Sequence, residues 1–248
     1  MCLAFRIMRF LLIGIGCLMI VGQARAATLG ASYDADVYYF TQTYRAVRTG
    51  ADLGTLHVGQ HILDVGSTYY RHFNYGAITF DLSSMAATGQ KFLSLNVKDF
   101  KTPVSLFPGG PPSYSFLSSG NFQLAIVALK ADFREIENLT DLSEIEAWYQ
   151  DNLFSQPRIV TVNLTTAGAF QVDVTSVVDG WITNSTPNFG FGLIGLDSTP
   201  TASTLRFYSM EAGGVFGPAL IPEPTTGSLA LLGLAGVLTM RWRFLVKN

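Results

Sequence analysis

Asp34 and Asp36, with His57, His61 and His72, are the residues whose types and spacing could do chemistry. Histidine or carboxylate pairs can hold a metal, and two acids that bracket a sugar can hydrolyse it. His57 and His61 stand four apart, the spacing of a helical zinc site. Yet Gly59 lies between them, no Glu follows His57, and the local pattern alternates like a strand. Four strand residues span about 13 Å, so this pair reads as solvent-facing polar residues. Asp34 and Asp36 share one strand face, about 6.6 Å apart along it. Glycosidases bring their two acids from distant segments, so these neighbours are expected to be exposed polar residues, with calcium ligation as the alternative. Glu135, Glu137, Glu144 and Glu146 read as a solvated helix face. No Gly-x-Ser-x-Gly elbow occurs, and no nucleophile or catalytic residue is assigned. The Asn-x-Ser/Thr sequons at Asn138, Asn163 and Asn184 read as chance matches. Tyr38, Tyr39, Tyr69, Tyr70, Phe73, Tyr75, Trp148 and Tyr149 could stack on sugar rings where exposed, although aromatics in sheets are usually core.

The elements that must position these residues are strands. Period-two alternation marks Tyr33 to Phe40, Gly76 to Leu82, Phe92 to Val97, Ile159 to Leu164, Phe170 to Val174, Phe189 to Leu196 and Thr204 to Tyr208. Phe122 to Leu129 is apolar but for Gln123, the pattern of a strand buried on both faces. Asp132 to Asn152 instead carries Ile136, Leu139, Leu142, Ile145 and Tyr149 at helical spacing. One surface helix is expected there, capped by Thr140 or Asp141. Asp173, Thr175 and Asp179 can cap a short turn that places Val177, Val178 and Trp181 on one core-facing side. Lys101 to Gly120, with four prolines and three glycines, is expected to be a long exposed loop. These elements predict an all-β, jelly-roll-like antiparallel β-sandwich over residues 27–212, followed by a linker over 213–221.

The two ends differ from this body. Arg6 and Arg9 precede an apolar core from Phe10 to Gly22 and an Ala24-Arg25-Ala26 site. This reads as a signal peptide over residues 1–26, cut after Ala26. Both cysteines, Cys2 and Cys17, lie within it, so the body is expected to hold neither a disulfide nor a Cys-ligated metal. At the other end, Pro222-Glu223-Pro224 forces any helix to start later. Gly227 to Met240 carries no charge, and 14 residues reach about 21 Å, short of a roughly 30 Å hydrocarbon core. Arg241, Arg243 and Lys247 follow and are expected to stay cytoplasmic. With both ends removed, the body keeps 10 basic against 18 acidic residues, a net charge of −8. That excludes a basic nucleic-acid footprint and suits cations better than polyanions.

The tail, residues 222–248, resembles the PEP-CTERM sorting signal of Gram-negative bacteria that make extracellular polysaccharide. The resemblance implies Pro222, Glu223 and Pro224 as the recognition element and Arg241 and Arg243 as the stop-transfer signal. It also implies export by the secretion machinery, transient residence in the inner membrane and processing by exosortase. The destination is then the outer surface or extracellular matrix. Two body segments, "YGAITFDLSSM" from Tyr75 and "FQVDVTSVVDGWITNSTPNFGFGLIGL" from Phe170, are similar to DNRLRE-type domains, with Arg71 in the expected neighbourhood. Those are jelly-roll sandwiches similar to carbohydrate-binding modules. The expectation is a non-enzymatic structural or adhesive surface protein without a cofactor, calcium aside. The alternatives are an exopolysaccharide-binding module and a polysaccharide hydrolase.

Overall fold

The computed structural model describes residues 28–40, 44–49, 54–65, 68–105, 113–196, 204–213 and 216–223. The signal-peptide residues Ala24 and Ala26, the tail residues Pro224, Arg241 and Arg243, and the side chains of Tyr38, Tyr39, His61, Tyr69, Tyr70, Arg71 and His72 lie outside that description. Among the described residues no helix is long and apolar enough to cross a membrane.

The strands are β1 (Leu29–Gly30), β2 (Tyr33–Phe40), β3 (Tyr44–Thr49), β4 (Thr55–Val65), β5 (Thr68–Thr79), β6 (Lys91–Ser105) and β7 (Ser113–Leu117). They continue as β8 (Ser119–Ala128), β9 (Arg158–Thr166), β10 (Gly168–Asp173), β11 (Phe191–Gly195), β12 (Thr204–Tyr208) and β13 (Ala219–Pro222). Two α-helices are present, α1 (Leu142–Tyr149) and α2 (Thr175–Ile182). Every described pairing is antiparallel, along the path β1-β13-β6-β12-β4-β5-β11-β8-β9. The path folds over at β4. Its Thr55 to Val58 pair with β12, and from Gly59 onward it pairs with β5. The outcome is a curled, two-layered β-sandwich. β3 and β2 extend the β5 side, while β10 and β7 extend the β6 side.

Alternation explains the core. Leu93, Leu95 and Val97 of β6, Leu205 and Phe207 of β12, and Leu56 and Val58 of β4 meet Ile78, Leu124, Ile126, Phe191 and Leu193 between the layers. The apolar run in β8, interrupted by exposed Gln123, serves two cores. Phe122, Leu124 and Ile126 enter this core, while Ala125 and Val127 face a second core beneath the helices. That second core joins Ala35, Val37, Tyr75 and Ala77 to Phe133, Ile136, Ile145, Trp148, Tyr149 and Leu153. Helix α2 closes one end, with Val178 and Trp181 buried and the Trp181 ring 4.8 Å from Phe191. Asp173 Oδ1 accepts from the Thr175 N–H at 2.9 Å and from its hydroxyl at 2.6 Å. Lys91, wholly buried, pairs through Nζ with Asp179 at 2.6 Å and donates to the Gly89 carbonyl at 2.9 Å.

Three expectations are corrected. The helix expected over Asp132 to Asn152 is divided into a 3-10 segment Phe133–Asn138, helix α1 and a π-helical segment Gln150–Phe154. Asp132 and Asp141 each accept an N–H two residues on, at 3.0 and 2.7 Å, so the stretch holds two helix starts. In the expected loop Lys101 to Gly120, β6 runs on to Ser105 and β7 pairs with it. Pro103 is accommodated at a register shift, where a missing N–H is tolerated. The expected linker over 213–221 contains most of β13, whose Leu220 is fully buried, so the folded body reaches Glu223.

The fold-over at β4 is tight. A Cβ on Gly195 would lie 2.6 Å from the Gly59 Cα and 2.7 Å from Phe122, and Gly59 itself has φ +135°. Gly195→Ala is therefore expected to lower the free energy of unfolding by about 1–3 kcal/mol, seen as a lower urea midpoint at an unchanged slope.

Candidate functional site

Asp34 and Asp36 are corrected from exposed to buried, each 1 % exposed. Ala35 and Val37 face the helix-covered core, so the intervening acids must point towards the other layer. There β4 has an edge that β12 does not pair, and Asp36 Oδ2 accepts the His57 N–H at 2.5 Å. The same oxygen lies 3.2 Å from His57 Nδ1. Asp34 Oδ2 accepts the Met210 N–H, just beyond β12, at 2.7 Å. His57, expected at the solvent face, is likewise buried. Two side-chain carboxylates thus do what a neighbouring strand would otherwise do, satisfying backbone donors at the fold-over. The oxygens described here receive N–H groups, and among the described residues no set of three His, Cys, Asp or Glu side chains is placed to hold a metal.

Asp34 retains one unsatisfied oxygen, Oδ1, among the described residues. Burial pushes its carboxyl up to about 7; the Met210 N–H opposes the rise, while the charges of Glu211 and Asp36 add to it. This carboxylate is in strain with its surroundings when ionised, in contrast to exposed Asp141 and Asp173, whose hydrogen bonds lower their values.

The aromatics expected to bind sugar divide by what they border, since Trp148, Tyr75 and Tyr149 are all buried. Trp148 is core, with its indole N–H donated to Glu135 Oε2 at 3.1 Å and its ring edge-on to Phe133. Phe73, Tyr75 and Tyr149 come together at a cavity of about 430 Å³ between the outer surface of β5 and helix α1. Phe154, missed in the sequence because it lies past the expected helix end, completes the aromatic side, with its ring edge-on to Tyr75 at 5.0 Å. Ser143, Glu146 and Gln150, at helical spacing, form the polar wall. The expected solvated glutamates, Glu135, Glu137, Glu144 and Glu146, are all exposed.

The sequence reading also missed a row of rings on the outer face of β6, β7 and β12. Arg206 is bidentate to Asp99 directly across the strands, and its guanidinium lies 4.0 Å from the Phe116 ring centre. Lys101 Nζ sits 4.0 Å over Tyr114, and Tyr208 packs at a tilt against Phe216, ring centres 5.1 Å apart. Phe116 is 53 % exposed, so this face is not core. The alternation of Thr204 to Tyr208 was the available signal, but the partner strand β7 lay inside the expected loop.

Of the residues expected to form a sorting motif, Pro222 ends β13 opposite Lys91, and the Glu223 N–H donates to the Gln90 carbonyl at 2.9 Å. No protein-family model and no curated protein sequence matches this chain.

The raised Asp34 value sets a pH dependence. Below about pH 4 both folded and unfolded chains hold this proton; between about 4 and 7 only the folded chain does, so stability falls as pH rises, then levels off. Asp34→Asn keeps an acceptor for Met210 without the charge. Urea unfolding should show the variant gaining on the native chain from pH 4.5 to 8, by about 3 kcal/mol; parallel stability curves would contradict the assignment.

Proposed function

We propose that this chain is an exported, non-enzymatic protein of the bacterial outer surface or extracellular matrix, structural or adhesive in role. Its jelly-roll-like sandwich is delivered there by a PEP-CTERM tail that exosortase processes. The carrying observation is that the folded unit fits between the two terminal signals. β1 begins at Leu29, just past the expected cut after Ala26, and β13 ends at Pro222, the first residue of the motif. The acidic body and the cysteine-free composition after Ala26 also suit an exported protein stabilised by packing. Fractionation of native cells with and without the processing enzyme tests this. The protein should shift from the inner membrane to the surface or medium only when the enzyme is present, and an identical distribution in both strains would refute sorting.

One observation favours a second reading, a carbohydrate-binding module for matrix polysaccharide. The 430 Å³ cavity is lined by the rings of Phe73, Tyr75 and Phe154 together with the polar side chains of Ser143, Glu146 and Gln150. A pyranose is amphipathic in the same way, with apolar C–H faces and polar edges. Among the described residues lining this cavity, Glu146 is the one carboxylate, whereas hydrolysis needs two, which favours binding over cleavage. Phe154 is 36 % exposed, so Phe154→Ala should leave the fold intact. It should weaken retention on the organism's own exopolysaccharide by about tenfold, the loss of one stacked ring. Equal retention of variant and native chain, or none by either, would dismiss this reading.

A further inference from the structure

Two edges of the sandwich meet at the turn between β9 and β10. β9 pairs with β8 in one layer and β10 with β6 in the other, and among the described residues neither has a second neighbour. An edge strand presents unpaired N–H and C=O groups, so folded proteins guard such edges with charge, brevity or bulges. The other edges here are guarded. β1 is two residues long, β3 has Arg45 and Arg48 in its sequence, and β10 ends in Asp173. β7 has Lys101 and Arg206 over its rings.

β9 is different. Its nine residues hold no acid, lysine, proline or glycine, and Arg158 at its start is the one charge. Register shifts against β8 fall near its two ends. Between them Val160 to Leu164 runs regularly along Ile126 to Phe122. Val160, Val162 and Leu164 lie on the core face, and the two valines are only half-buried because the layer stops there. Thr161 and Asn163 are exposed on the opposite face.

The pattern is self-complementary. An antiparallel register that sets Val162 against its own copy places Val160 opposite Leu164, Thr161 opposite Asn163 and Arg158 opposite Thr166. Each face then meets its like, and the two arginines sit at opposite ends of the pair. A body of net charge −8 repels its copy, and β9 is a stretch where no acid adds to that repulsion.

We propose that β9 is a homodimer interface: two copies pair their β9 edges antiparallel about a two-fold axis at Val162, continuing the layer across both. The pairing covers the half-buried valines and satisfies the outward backbone groups of Val160 to Leu164. A symmetric contact of this kind uses up the edge and closes, giving a dimer and not a filament. The proposal is independent of how the chain reaches its destination.

Sedimentation equilibrium of the protein purified from native cells tests this across concentration and salt. The expected result is a reversible dimer that tightens as salt rises to about 0.5 M, since screening weakens the repulsion between acidic bodies. A monomer under all conditions, or an open-ended oligomer, would overturn the proposal. Thr161→Lys combined with Asn163→Lys sets like charges across the two-fold at exposed positions and should weaken dimerisation about tenfold. Mixing that variant with Thr161→Glu combined with Asn163→Glu should restore a heterodimer, read by native mass spectrometry. An undiminished lysine-variant dimer, or no heterodimer between two folded variants, would overturn the assignment. Hydrogen exchange on the native chain gives a readout without any variant. Slower exchange within Val160 to Leu164 as protein concentration rises supports the interface, and unchanged exchange sinks it.

Discussion

The fold-over at β4 is the constraint on which the remaining architecture depends. A single strand serves both layers, pairing with β12 at one end and β5 at the other. That arrangement leaves an edge at the corner with backbone donors to satisfy. Asp34 and Asp36 supply acceptors from β2, and Gly59 and Gly195 let the backbones approach. The chemistry of this corner is therefore structural. Acids that would suit a metal or a sugar by type are occupied by N–H groups of His57 and Met210, and one of them is held in an environment that disfavours its charge.

The opposite end of the sandwich is held by a different polar device. Lys91 begins β6, pairs with Asp179 of α2, and lies opposite Pro222 of β13. Its backbone N–H also donates to Thr175 Oγ1 at 2.9 Å. One buried residue thus ties together the closing helix, the first residue of the long central strand and the last strand before the tail. A buried ammonium is tolerated only when paired and hydrogen-bonded, and here carbonyls and a carboxylate do both. The outcome couples the last described strand to the core through Pro222 and Lys91.

Two surfaces remain outside these restraints. The cavity beside α1 combines aromatic faces with a polar helix wall, and the outer face of β6, β7 and β12 combines exposed rings with cations already paired to them. The first has unfilled volume and the second is a sheet surface with its charges engaged. That difference is why the cavity carries the sugar-binding reading. It also explains why the aromatic residues were hard to sort in the sequence: Tyr75 and Trp148 look alike as ring types, but one borders a cavity and the other is closed over by Phe133 and Glu135.

The amino-acid sequence by itself marked β2, β8 to β12 and parts of β5 and β6, because side-chain alternation is a local consequence of the pleat: β2 and β12 begin and end where the pattern does. It also determined the cap at Asp141 and the turn in which Asp173 accepts from Thr175, each acting over two residues, the core-facing side of α2, and the two terminal patterns that suggest export. Tertiary structure alone decided the burial of Asp34, Asp36 and His57, since their partners come from distant segments. It also decided the inclusion of β7 and β13 in the sheet, where Pro103 and Pro222 had suggested chain breaks. Alternation says that two faces differ, but which polar residue becomes buried depends on donors that only the folded chain brings within reach.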